Sequence, residues 1–406
     1  MSRSALERAA PWAVGAIVLG VGALLASTLH GITYGQGADE GHYLGYVTQV
    51  RKLGIEGFRV AFLDFAQQPE RRFFPNPLRV GWIGLAALWT VLRGVSFTAL
   101  SELSLTAHLL SIALAYGFAR RLFGDPRALL CAALLAFSPL WLGLARRALI
   151  DSVATLTLLA SVWIFWEAVR RPESPRLRLA FMLSFATAML VKETAVLLAV
   201  PLAAFLALER YVRGRDLPWL PFVAAFGAPL CVCAFVWLLA AGSPATLLYV
   251  VREILVSPAD NLYASQVGGG PWYRYVIDYL LLSPWPTLLG IGACVTVAVR
   301  ARRQGLDPDT AYLVLLTGGV LFAFSFFTMN VRYVALLELP IRLLAVGVLW
   351  ELLRGERPAG TWACAAAVAL LCWADYQSFR LLFVDRALYD PASLFLLAVR
   401  GMVPVQ

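Results

Sequence analysis

Apolar runs long enough to cross a bilayer recur from one end of this chain to the other. That recurrence restricts the fold more than any motif does. A helix needs about 20 apolar residues to span the hydrocarbon core, and only helices or closed barrels satisfy their backbone there. The runs fall at 11–30, 103–119, 127–145, 149–168, 177–191, 194–209, 218–240, 275–299, 310–329, 333–352 and 360–375. A barrel shows short alternating segments instead. Hydrophobic residues make up 60% of the chain and charged residues 15%, and mean hydropathy is +0.73. Soluble domains are nearer half apolar and a quarter charged. The chain therefore reads as all-α, a polytopic integral membrane protein with about eleven spans.

The N-terminal run from Trp12 to Leu29 follows Arg3 and Arg8. It is long for a signal-peptide core and no clean small-x-small site follows, so it reads as an uncleaved first span. The six cysteines (131, 231, 233, 294, 364 and 372) all lie within apolar runs and read as packing residues.

A further apolar stretch, 77–92, decides the topology by parity. If it does not cross and the N-terminus is cytoplasmic, the inner loops hold Arg120, Arg121 and Arg127; Arg170, Arg171, Arg176 and Arg178; Arg210, Arg213 and Arg215; Arg300, Arg302 and Arg303; and Arg354 and Arg357. Every inner loop is then basic, as the positive-inside rule requires. The stretch 77–92 is therefore expected to lie in the outer interface or to re-enter, with Pro75 and Pro77 setting its entry. The net charge of +9 is explained by these loops and implies no nucleic acid.

This topology gathers the unusual residues on the outer side. The first outer loop, 31–102, holds Asp39, Glu40, His42, Arg71 and Arg72; the second holds Arg146, Arg147 and Asp151. Lys192-Glu193 form the third. The fourth, 241–274, carries Arg252 and Asp260, and the fifth carries Asn330, Arg332 and Tyr333. Adjacent acids beside a bilayer are costly and point to chemistry at a membrane surface. Lys192 is one of two lysines among 34 basic residues, set between two apolar helices.

Six elements in this order resemble a known family. Asp39-Glu40-Gly41-His42-Tyr43 resembles an Asp-Glu-x-His-aromatic motif of a first outer loop. Pro75-Asn76-Pro77-Leu78 resembles a His-Pro-Pro-Leu element, with Pro75 in place of the His and Asn76 in place of the first Pro. Arg147-Ala148-Leu149-Ile150-Asp151-Ser152 resembles an arginine-to-Asp-Ser stretch, and Leu190-Val191-Lys192-Glu193 a Leu-Thr-Lys-Gly turn. Pro271-Trp272-Tyr273 with Pro284-Trp285 resembles another recurring pair, and Arg332-Tyr333 with Pro340 the Arg-Tyr-x-x-Pro start of a late helix. Together, from Asp39 to Pro340, they resemble the GT-C membrane glycosyltransferases, in the branch of protein O-mannosyltransferases and aminoarabinose transferases.

The resemblance implies a GT-C-type helical bundle with interfacial helices in the first outer loop. Residues 1–209, including the loop 31–102, would be the family-type module, and 210–406 a variable C-terminal transmembrane module. The implied activity is transfer of one sugar from a polyprenyl-phosphate donor to a glycan, lipid or protein acceptor outside the cytoplasm, with inversion. The location would be the plasma (inner) membrane, with the site facing the periplasm or exterior. Asp39 is the expected base, with Glu40 beside it as the second catalytic acid, because an attacking hydroxyl must lose its proton. Lys192, Arg332, Arg147 and Tyr333 are expected to hold the leaving phosphate, where charge grows on oxygen. His42, Asp151 and Glu193 are expected at the substrate.

Plainer roles stand beside these. Asp39 and Glu40 can be solvated acids at the start of a helix. His42 can be a structural hydrogen-bonding partner. Asp151 can cap its helix and pair with Arg147, and Glu193 can neutralise Lys192. Glu338 and Arg342, like Arg274 and Asp278, are helix-spaced pairs with an expected structural role. Arg71 and Arg72 can bind lipid headgroups non-specifically.

No cofactor is expected. Asp39, Glu40 and Asp151 offer oxygen ligands for Mg²⁺ or Mn²⁺, which related oligosaccharyltransferases use, but the O-mannosyltransferase branch requires no metal. The rival reading is a transporter or lipid flippase, which predicts charges near span centres. Only Glu338 and Arg342 qualify.

Overall fold

A computed structural model describes residues 3–29, 39–68, 75–256, 268–304, 307–388, 391–393 and 395. Arg71, Arg72 and Asp260 lie outside the described residues. The described residues form helices and no strand. α1 (Arg3–Leu29) is followed by α2 (Asp39–Leu53), α3 (Glu56–Gln67), α4 (Val80–Arg93) and α5 (Phe97–Phe123). Next come α6 (Asp125–Ala136), α7 (Pro139–Ala145), α8 (Asp151–Arg170) and α9 (Pro175–Val191). A 3-10 segment, Glu193–Leu198, leads into α10 (Ala199–Ala207), then α11 (Trp219–Ala241), α12 (Pro244–Val256), α13 (Arg274–Leu282), α14 (Pro284–Gln304) and α15 (Pro308–Phe324). A second 3-10 segment, Val331–Leu337, opens α16 (Glu338–Leu352), and α17 (Pro358–Phe379) follows.

Among the described residues eight helices are long and apolar enough to span a bilayer, or nine if the bent pair α6–α7 is one span. This is an integral membrane protein. α9 and α15, each 17 residues, run between the same two ends of the bundle. α9 starts at Pro175, shortly after Arg170, and ends at Val191 just before Lys192; α15 starts at Pro308, next to Asp309, which accepts from Arg170, and ends at Phe324, which lines one pocket with Lys192. Counted with the nine, α9 and α15 bring the candidate spans among the described residues to the eleven expected from the sequence. Arginines crowd one end: Arg121 bonds Glu167 at 2.9 Å, Arg127 bonds Glu356 at 2.9 Å and Arg300 bonds Glu351 at 2.7 Å.

Two runs differ from the expected single spans, and proline explains both. The run 127–145 bends by 58° between α6 and α7. Pro139 has no amide hydrogen, so the helix restarts there; Ser138 caps the restart by accepting from the Trp141 amide at 3.2 Å. The run 275–299 breaks at Ser283, because Pro284 cannot continue the hydrogen-bond ladder. Only Pro284–Ala301 remains span-like, and α13 is a separate nine-residue helix.

α4 has 14 residues, about 21 Å at 1.5 Å per residue, against a hydrocarbon core of about 30 Å. Both its ends lie on the side away from the arginine-rich loops. Arg79 precedes it and pairs with Glu193, while Arg93 bonds Glu102 near the start of α5 at 2.5 and 2.7 Å. Gly81 lets α4 approach α9 closely; a Cβ there would lie 2.9 Å from the Leu190 backbone.

The Glu338–Arg342 pair is the centre of a larger buried cluster. Arg342 bonds Glu338, Asp375 Oδ2 at 2.5 Å, the Ser283 hydroxyl at 3.0 Å and the Leu134 carbonyl at 2.9 Å. It thereby ties α16 to α17, α6 and the α13–α14 break. Removing one partner of such a buried cluster leaves charge uncompensated, at a cost of about 3–5 kcal/mol. Arg342→Met is expected to lower the thermal midpoint of the purified protein strongly, and Glu338→Gln less. An unchanged midpoint for Arg342→Met would remove the cluster from the account of stability.

Candidate active site

Three spans begin at the end of the bundle opposite the arginine-rich loops: α8 at Asp151, the α10 span at Glu193 and the α16 span at Val331. Helix N-termini carry partial positive charge. The chain adds cations to that field. Lys192 adopts extended backbone (φ −148°, ψ 113°) between α9 and the first 3-10 segment, and Asn330 does the same before the second (φ −142°, ψ 130°). The Asn330 side-chain oxygen accepts from the Arg332 amide at 3.0 Å and from Arg332 Nε at 3.3 Å, which fixes that turn. The irregular backbone at Val334 (φ −106°, ψ 20°) frees carbonyls that cannot be left bare. Tyr279 donates to the Val334 carbonyl at 2.7 Å and Trp141 to that of Ala335 at 2.8 Å.

The two cations meet on one carboxylate. Lys192 Nζ donates to Asp151 Oδ1 at 2.6 Å and lies 4.6 Å from the Tyr333 ring centroid. Arg332 Nη1 is 3.8 Å from Asp151 Oδ2, and its Nη2 donates to Asp39 Oδ2 at 3.2 Å. Asp151, Lys192, Arg332 and Tyr333 line one small pocket, walled also by Thr155 and Phe324. Asp39 is not part of that wall; it reaches it through Arg332. Its side chain is 32% exposed, against 5% for Asp151.

The adjacent acid has a different environment. Glu40 is fully buried and takes both Nε and Nη2 of Arg147 at 2.6 Å each. This corrects the expected Arg147–Asp151 pairing: Lys192 and Arg332 reach Asp151 and leave Arg147 to Glu40. Asp151 is also not the cap of its helix. Ile150 holds that position and Asp151 is the first helical residue, its carboxylate drawn to Lys192. Nor does Glu193 neutralise Lys192, because it faces Arg79 and Asn76 instead. His42 is half-buried on α2.

Arg79, Asn76 and Tyr43 are the residues that sequence reasoning missed. Arg79 Nε and Nη2 donate to Glu193 at 3.1 and 3.2 Å, and Nη1 to the Tyr43 hydroxyl. Burial disfavours the Arg79 cation, but Glu193 and Tyr43 outweigh it and hold its pKa above the ordinary arginine value. Burial also pushes Tyr43 well above the usual phenol range, with Arg79 opposing, so its oxygen accepts from Arg79 as a neutral phenol. The available signal was an arginine within an apolar stretch, whose desolvation demands a carboxylate partner.

Four acids (Asp39, Glu40, Asp151, Glu193) are thus matched by four cations (Arg79, Arg147, Lys192, Arg332). The donor set fits a divalent ion poorly, since each carboxylate is already neutralised by a side-chain cation. Among the described residues no three His, Cys, Asp or Glu side chains form a ligand cluster.

Residues 76–237 match the profile of the dolichyl-phosphate-mannose-protein mannosyltransferase family. No curated protein matches the chain. Among solved structures, the chain is similar to the archaeal oligosaccharyltransferase AglB from Archaeoglobus fulgidus, in complex with an inhibitory peptide and a dolichol-phosphate, with 13% identity and a TM-score of 0.59. That match covers 95% of this chain and 56% of AglB, so the chain spans little more than half of that relative. It is also similar to ArnT from Cupriavidus metallidurans: in the apo state at 15% identity and TM-score 0.56, over 96% of this chain and 68% of ArnT, and bound to undecaprenyl phosphate at 14% identity and TM-score 0.53, over 96% and 74%. The fold is that of the GT-C membrane glycosyltransferases.

Proposed function

We propose that the chain transfers a single sugar from a polyprenyl-phosphate donor to an acceptor at the outer face of the plasma (inner) membrane, inverting the anomeric centre, without a resident metal. One observation carries this reading: Lys192 and Arg332 converge on Asp151 at one end of the bundle, with Asp39 3.2 Å from Arg332. An acceptor hydroxyl attacks the anomeric carbon as its proton passes to Asp39, and the bond from that carbon to the phosphate oxygen breaks. The bonding pair leaves on polyprenyl phosphate, and no second nucleophile is needed.

Distances rank the cations. Arg147 spends its fork on Glu40 at 2.6 Å. Arg332 lies 3.2 Å from Asp39 and 3.8 Å from Asp151, at the mouth of the site, where its planar fork suits phosphate oxygens and Lys192 adds a point charge beside it. The neighbours point to the same ligand chemistry, since AglB and ArnT were seen with dolichol-phosphate and undecaprenyl phosphate. The buried charges Arg342, Glu338 and Asp375 bind one another, which favours an enzyme over a transporter lined by charge. The acceptor is a glycan, lipid or protein hydroxyl.

The test is to incubate the purified protein with a panel of polyprenyl-phosphate sugars and assay sugar-dependent release of polyprenyl phosphate. No release from any donor, in the presence of glycan, lipid and protein acceptors, overturns the reading. Sidedness rests on the arginine-rich end being cytoplasmic. A Val95→Cys variant in a cysteine-free background, just beyond α4, is expected to react with an impermeant maleimide in intact cells. Labelling only after permeabilisation would reverse the assigned face.

A further inference from the structure

Two residues that depart from the resembled motifs meet in space. Asn76 stands where the proline element has its first Pro, and Glu193 where the lysine turn has Gly. Asn76 Nδ2 donates to Glu193 Oε1 at 2.8 Å, across 117 residues of sequence. The Asn76 oxygen accepts from the Leu78 amide at 3.1 Å, so the side chain is held at both ends. Arg79 adds its two bonds to Glu193 and one to Tyr43, and Tyr46 donates to the Pro75 carbonyl at 2.8 Å. A proline at 76 has no amide to donate and a glycine at 193 no carboxylate to accept, so this network belongs to the residues of this chain.

The network bears on the most delicate backbone of the site. Lys192 is neither in α9 nor in the 3-10 segment after it. Its own turn is held by two local bonds, its amide to the Ala188 carbonyl at 2.8 Å and its carbonyl from the Ala195 amide at 2.9 Å. The next residue, Glu193, is bound by three side-chain donor bonds to the 75–79 loop.

We propose that Glu193, with Arg79 and Asn76, is a positioning clamp that acts through Lys192. It locks the turn so that the ammonium faces Asp151 and the leaving phosphate. The role in catalysis rests on the reading of Lys192 given above; the holding of Lys192 does not. Both carboxylate oxygens of Glu193 are taken by Arg79 and Asn76, so Glu193 acts without touching substrate.

The chain supplies its own control for a test, because Lys52 and Lys192 are its only lysines. Lys52 is exposed and Lys192 is 4% exposed. In the purified full-length protein, acylation by a water-soluble ester, read by mass spectrometry, is expected to mark Lys52 and spare Lys192. Arg79→Met alone leaves the half-buried Glu193 carboxylate without its cation, with the Asn76 amide still donating to it, and is expected to destabilise. Arg79→Met/Glu193→Met replaces the pair with apolar volume and is expected to recover the thermal midpoint. In that folded double variant, Lys192 acylation relative to Lys52 is expected to rise about 10-fold, as the turn opens locally. Turnover is expected to fall about 10–100-fold, as for a misplaced catalytic group. Glu193→Gln, which keeps shape and some hydrogen bonding, is expected to lie between wild type and the double variant in both measurements. A double variant with a wild-type midpoint and unchanged Lys192 protection overturns the clamp, as does one that stays destabilised with Lys192 still spared. Raised acylation with no loss of turnover overturns its role in catalysis. Absence of turnover in the wild type would instead count against the functional reading, while the labelling still decides the clamp.

Discussion

Asp39→Asn is expected to abolish sugar transfer while leaving a folded, membrane-inserted protein. Loss of a general base alone costs roughly 10²–10⁴-fold. The structure separates the two adjacent acids for this task. Asp39, with its side chain 32% exposed, sits at the start of α2 against Arg332, where an acceptor hydroxyl can reach it. Glu40 is fully buried and bonded twice to Arg147. Its loss takes the carboxylate from the half-buried Arg147 and leaves a fully buried amide in its place, so Glu40→Gln is expected to act on stability first. Asp39→Asn forfeits a favourable acid at a helix N-terminus, about 0.3–1 kcal/mol, too little to unfold the protein. The measurement pairs polyprenyl phosphate release with a thermal midpoint in detergent. Wild-type turnover by Asp39→Asn at a normal midpoint would remove Asp39 as the base. Loss of midpoint as well as turnover would make its role structural.

What the sequence discloses here is local, and what it hides is pairing. Hydropathy over 20 residues places the passes, and Pro139 and Pro284 mark where two of them break. That the stretch 77–92, which holds most of α4, does not cross is expected from parity and the arginine loops, because a segment that crosses would invert every later loop. The partners of charges are another matter. Arg147 and Glu40 are 107 residues apart, and Lys192 and Asp151 are 41 apart; on the sequence any outer cation can serve any outer acid. Packing of α8 against α9 and of the second 3-10 segment against α8 brings Lys192 and Arg332 to Asp151, and no spacing rule contains that packing. Arg79 is hidden for a related reason. It opens an apolar stretch and resembles a boundary residue until Glu193 is seen beside it. Asp375 likewise looks like the polar end of a span, although it closes the Arg342 cluster from another helix.

Arg332→Ala is expected to reduce turnover of the donor by about 10²–10³-fold, the scale for losing one preorganised donor to developing charge. Arg332 is placed to do two things at once. Its guanidinium lies between Asp151 and Asp39, so a phosphate drawing that fork toward itself also loosens the hold on the base. Arg332→Lys keeps the charge but cannot span both acids with a planar fork, so its turnover is expected to fall between wild type and Ala. Lys192→Met is expected to be as severe in turnover and harsher on stability, because Asp151 would keep only the 3.8 Å contact with Arg332. Adding Asp151→Asn to Lys192→Met removes the stranded charge and is expected to restore the midpoint while leaving the enzyme inactive. That separation is the decisive feature. If midpoint and turnover recover together in the double variant, the ammonium serves only to neutralise Asp151. The leaving phosphate would then depend on Arg332 alone.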